Sequence, residues 1–133
     1  MYFELYFDPN CKIFEVPENE GFASVPSLVE ELQRRGIQIE VKDTGSMTEE
    51  KHQEAYRKAI IPATRKKYRI RQIFGSRGRG GGPDFGKGVP ALLVYRDREA
   101  PYPDDVYPHE ERGKTVTIKE FLEQFLRGLE ARV

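Results

Sequence analysis

A single cysteine, Cys11, stands in a chain of 133 residues. One thiol cannot close an internal disulfide, so disulfide-stapled secreted scaffolds are excluded and the composition carries no mark of secretion. Long apolar runs are missing too. Nothing in the sequence approaches the roughly 18 consecutive apolar residues of a membrane-spanning helix. The chain passes from Met1 directly into strand-like residues, with no basic n-region and no cleavage site. A soluble, cytoplasmic chain without a membrane partner is therefore expected. Histidine is scarce, with only His52 and His109. Together with Cys11 they fall short of a structural zinc set, and no metal site is expected. His52 sits among charged residues and reads as solvated. No Ser/His/Asp pattern or glycine-flanked nucleophile appears, so hydrolysis finds no support.

What is present suffices for one modest core. Apolar residues make up 38% of the chain, with seven tyrosines and eight phenylalanines, and the length fits a single domain over residues 1–133. Net charge is zero, but it is unevenly spread. Residues 51–80 hold ten Lys/Arg against one acid, Glu54, and the remainder is acidic to match. Such a division can steer an anionic partner to one face. It is equally the pattern of a basic helix solvated beside an acidic one.

Along the chain, "YFELYFD" (2–8) reads as an aromatic-rich strand, followed by an Asp8-Pro9-Asn10 turn signal. Residues 12–24 form an irregular excursion. Ser24 is placed to cap a helix with Pro26 in its first turn, an apolar stripe at Val25, Leu28, Val29 and Leu32, and a stop at Gly36. "IQIEVKD" (37–43) alternates as a second strand. Ser46-x-x-Glu49 has the capping-box spacing for a charged helix whose narrow apolar face is Ala55, Tyr56, Ala59 and Ile60. Pro62 is expected to end or kink it, with helix resuming over 63–74. "PALLVYR" (90–96) is the most apolar run and the expected central strand, and "DDVYPHE" (104–110) its edge partner. Asp104-Asp105 and Glu110-Glu111 read as solvated acids around that edge. Thr117-x-x-Glu120 caps the most regular helix, with Ile118, Phe121, Leu122, Phe125, Leu126 and Leu129 at helical spacing. The order β-α-β-α-β-β-α predicts a mixed four-stranded sheet with helices on both faces, its first two strands parallel.

One stretch is compositionally biased. Between residues 75 and 86 lie six glycines, which predicts an exposed, mobile Gly/Arg-rich insertion over 75–88. Gly81, Gly86 and Lys87 stand at phosphate-loop spacing, but Gly88 replaces the hydroxyl residue that would hold Mg²⁺. The segment also precedes a strand instead of following one, so the motif is rejected.

This element order resembles the thioredoxin-like fold, and two motifs sharpen the resemblance. "LYFDPNCKIF" places Cys11 just after the first strand, where that family carries its redox cysteine. "GVPALLVYRD" is similar to the family's proline-entered third strand, with Pro90 as counterpart of the cis-proline. "KKYRIRQI" (66–73) and "VTIKEFLEQFL" resemble the segment before that proline and the last helix. The chain departs from the family at the C-x-x-C motif. Phe14 stands where the resolving thiol would be, and without a second cysteine an intramolecular dithiol cycle is chemically excluded.

Three functional readings follow. The first is a thioredoxin-like scaffold that binds a protein, peptide or ligand through Val89 and Pro90, with Arg77 and Arg79 in the adjoining insertion. The second is monothiol chemistry at Cys11 with glutathione or another external thiol, Lys12 helping to hold the thiolate. Its bland counterpart is a small half-buried thiol at a strand end. The third is anion or nucleic-acid binding by the basic segment 65–87, in which Arg65, Lys66 and Lys67 join Arg77 and Arg79. Against the third stands the near-neutral pI of about 6.8.

Overall fold

The computed structural model describes residues 1–7, 24–43, 46–68 and 90–131. They form a mixed α/β arrangement of one four-stranded mixed sheet, a small two-stranded sheet and three helices, in the order β1 (Tyr2–Phe7), α1 (Val25–Arg34), β2 (Gln38–Asp43), α2 (Glu49–Lys66), β3 (Ala91–Tyr95), β4 (Asp105–Tyr107), β5 (His109–Glu111), β6 (Lys114–Val116) and α3 (Ile118–Ala131). The main sheet runs β2-β1-β3-β4. β1 pairs parallel with β2 in the register Leu5↔Val41 and antiparallel with β3 in the register Leu5↔Leu92. β4 closes the other edge, antiparallel to β3, with Leu93 opposite Val106.

Alternation along β1 divides the interior into two layers. Phe3 and Leu5 point to one side, where α1 supplies Val25, Val29 and Leu32 and α3 supplies Ile118 and Leu122. Tyr2 and Tyr6 point to the other, where α2 supplies Ala55, Ala59 and Ala63. β3 faces helices on both sides, and all five of its residues are buried. That explains why it is an unbroken apolar run and not an alternating one.

The helix ends carry their own logic. α1 stops in a Schellman pair: Gly36 donates to the Gln33 carbonyl at 3.0 Å and Ile37 to that of Leu32 at 3.1 Å. Gly36 takes φ +88°, a value open to glycine at little cost. At the other end, Ser24 holds the cap position with helical backbone angles, and its side chain makes no capping bond. The expected cap function is absent there, because an extended residue is needed to aim the hydroxyl at the first turn. α3 begins as expected, with the Glu120 amide donating to Thr117 Oγ1 at 3.1 Å.

Three further expectations are corrected. The cap of α2 is Thr48, whose extended backbone lets Oγ1 accept from the Lys51 amide at 3.3 Å. Ser46 instead bonds the Asp43 carboxylate at 3.0 Å. Nor does Pro62 end α2, which continues to Lys66. Ala59 and Ala63 are buried on either side of the proline, so packing on the sheet holds both halves and outweighs the lost backbone bond. Helix thus follows Pro62 as expected and closes at Lys67, in the left-handed region at φ +60°, while positions 69–74 of the expected helix fall outside the described residues. Residues 69–89 lie outside the described residues. Finally, β4 ends at Tyr107, and His109–Glu111 turn away to pair with Lys114–Val116. The loop between them is Arg112-Gly113, both with positive φ, which is the two-residue turn that matches strand twist. Among the described residues no helix is long and apolar enough to cross a membrane.

Candidate functional site

Pro90 is buried immediately before Ala91, which pairs with Tyr6. It therefore lies at the end of the sheet where β1 ends. Cys11 itself, its neighbours Lys12 and Phe14, Arg77, Arg79 and Val89 lie outside the described residues, as does the side chain of His52. Arg65, Lys66 and Lys67 come together, exposed, at the C-terminal end of α2. Cations there are favoured by the helix dipole whatever else they do. Lys66 is also committed to a partner, with Nζ 3.3 Å from Asp105 Oδ2.

Asp105 belongs to a cluster that the sequence did not announce. Expected as a solvated acid, its side chain is only 17% exposed. It accepts from the Tyr107 hydroxyl at 3.0 Å and from the Val106 amide at 2.9 Å. Burial, then the charge of Asp105, pushes the Tyr107 phenol well above its usual range. Beside it His109 is buried, its Nδ1 2.6 Å from the Val106 carbonyl. A carbonyl can only accept, so Nδ1 carries the proton and Nε2 is left towards Glu111, 3.7 Å away. The hairpin turn at Arg112-Gly113 was the signal available in the sequence. It takes His109 out of the edge strand and folds it inward.

The second cluster lies under α2. Glu4 sits mid-strand in β1, with its two sheet neighbours β2 and β3 on either side, and is 7% exposed. Its carboxylate accepts from Tyr95 at 2.7 Å, Tyr2 at 3.1 Å and Tyr6 at 3.2 Å, with Lys42 Nζ 3.6 Å away. Tyr2 has one proton and two carboxylates in reach. The closer one is Glu40 on β2. That bond, then Lys42 and Arg98, hold the Glu40 carboxyl below the usual range against a smaller opposing effect of burial. Burial first, and the neighbouring carboxylates second, raise the phenols of Tyr2, Tyr6 and Tyr95 well above theirs.

A leucine at position 4 would satisfy the strand pattern with less desolvation, since burying a carboxylate costs several kcal/mol even when it is paired. The chain instead keeps a charge and surrounds it with phenols and the Lys42 ammonium. The sequence did carry a hint: a charged residue at the centre of a strand that helices must cover on both faces. Comparison with protein-family models, with curated proteins and with solved structures finds no match.

Proposed function

We propose that this chain is a thioredoxin-like domain without a dithiol centre, whose work is recognition of a partner or ligand. One observation carries the reading: the sheet order β2-β1-β3-β4, parallel then antiparallel twice, with a buried proline opening β3. That order is the one expected of a thioredoxin-like core and supports the reading, with Pro90 beside the C-terminal end of β1. The absence of a second cysteine removes dithiol exchange and leaves binding as the activity such a scaffold retains. Asp8, Glu15 and Glu18 outnumber Lys12 around Cys11 and disfavour the thiolate that redox chemistry needs.

The deciding experiment is the rate of iodoacetamide alkylation of Cys11 against pH, with Cys11→Ser as control. An apparent pKa at or above the free-thiol value of about 8.5 is expected, with no glutathione-linked disulfide reduction. A value below about 7, accompanied by glutathione-dependent turnover, overturns the scaffold reading in favour of monothiol catalysis.

A further inference from the structure

Above Glu4 the layer between α2 and the sheet is incompletely filled. A cavity of about 270 Å³ is lined by Glu4, Tyr6, Lys42, Met47, Lys51, Glu54, Ala55 and Lys58. Its floor is buried (Glu4, Tyr6, Ala55), and Lys51 and Glu54 at its rim are exposed. It exists because α2 sets an alanine over the sheet at position 55, flanked at helical spacing by Lys51, Glu54 and Lys58. A larger apolar residue at position 55 would close it.

Three ammonium groups and two carboxylates line the cavity, and a third carboxylate, Glu40, reaches one of the three from outside the lining. Lys42 is held between Glu4 and Glu40, 3.6 Å from each. Lys58 has one long contact, 3.9 Å from Glu54. Among the described residues the Lys51 ammonium has no ion pair. Glu4 already accepts from Tyr6 and Tyr95 and has Lys42 3.6 Å away. The unmatched group is therefore a single positive charge at Lys51, seconded by Lys58, beside the apolar surfaces of Met47 and Ala55.

We infer that this cavity is a binding site for a small organic monocarboxylate. Its carboxylate would meet Lys51 and Lys58, and its short apolar body would lie on Met47 and Ala55. The single ammonium without an ion pair, Lys51, matches a monoanion, and Glu54 repels a second negative group. The volume lies below the range of cavities that hold drug-sized ligands, so a body of a few carbon atoms is what fits. The site lies on the α2 face of β1, under the helix, and does not depend on the thioredoxin-like reading.

The test is a titration of the full chain followed by backbone amide NMR, using sodium butyrate, its neutral analogue butyramide, and inorganic phosphate. Butyrate is expected to give saturable shifts at the amides of Lys51, Glu54, Ala55 and Lys58, with a Kd on the order of millimolar. Lys51→Gln should weaken it roughly fivefold, and Lys58→Gln by a smaller factor, with the remaining spectrum unchanged. Absence of saturation by about 50 mM butyrate would overturn the inference, since the affinity would then be more than tenfold weaker than expected. Equal binding of butyramide, tighter binding of phosphate, or an unaltered Kd in folded Lys51→Gln would overturn it as well.

Discussion

The imidazole of His109 lies flat on the phenol ring of Tyr68, centroids 3.7 Å apart and planes 7° from parallel. Tyr68 follows the left-handed Lys67 that ends α2, and His109 opens β5. The stack thus ties the end of one helix to the base of the hairpin. In a double-mutant cycle of Tyr68→Ala and His109→Ala, urea unfolding should give a coupling of roughly 0.5–1.5 kcal/mol. A coupling near zero would mean that the rings touch without stabilising each other.

Glu4 supports a prediction of opposite signs. Glu4→Leu takes away the acceptor that the buried hydroxyls of Tyr6 and Tyr95 share, and should cost about 3 kcal/mol in chemical denaturation. Adding Tyr6→Phe and Tyr95→Phe removes those two donors together with their acceptor and should restore most of that loss. If the triple variant is no more stable than Glu4→Leu alone, the network is not what holds the layer.

The same network makes the fold sensitive to base. The phenols of Tyr2, Tyr6, Tyr95 and Tyr107 titrate in the folded chain above their unfolded value of about 10. The folded chain keeps these protons longer than the unfolded one. Their contribution is therefore complete below pH 10 or so and is lost as the pH climbs from there towards the folded values. Tyrosinate absorbance should show at least four of the seven tyrosines ionising only together with loss of helical circular dichroism. Independent titration of all seven before unfolding would contradict the buried network. On the acid side Glu40 works in reverse. Its carboxyl is depressed by Tyr2, so its contribution is present above the unfolded value and is lost as the pH falls through the folded one.

Much of this architecture could be read from residue patterns. The four strands of the main sheet and all three helices follow from alternation, helical spacing and the Gly36 and Thr117 signals, because those features act locally. What escaped depends on the tertiary setting. Pro62 breaks a helix in isolation but not one pinned by Ala59 and Ala63. Glu4 looks like a solvent-facing residue until helices cover both faces of β1. Asp105 and His109 became interior only when the hairpin at Arg112-Gly113 turned the chain away from the sheet edge.

Two helix ends give a matched pair of tests. Gly36→Ala places a Cβ at φ +88°, where no neighbouring atom obstructs it but the backbone itself is strained. Thermal unfolding should show a loss of about 1 kcal/mol. Lys67 already occupies the left-handed region with a side chain, at φ +60°. Lys67→Gly relieves that strain, and a gain of up to about 1 kcal/mol is expected. A loss on Lys67→Gly would show that its ammonium does more for α2 than its backbone costs.

β1 lies in the middle of the sheet, yet its partner β3 comes more than eighty residues later in the chain. During synthesis the first strand must wait, with one ladder of amides and carbonyls open, until residue 95 has left the ribosome. Folding of this chain is therefore governed by distant pairings and should be slow for its size. Any fragment that stops short of β3 exposes that open ladder between two apolar faces, the arrangement most prone to strand-to-strand association. The vulnerable species in a cell is thus the unfinished chain, and a truncation before residue 91 should be recovered as aggregate where the whole chain is recovered folded.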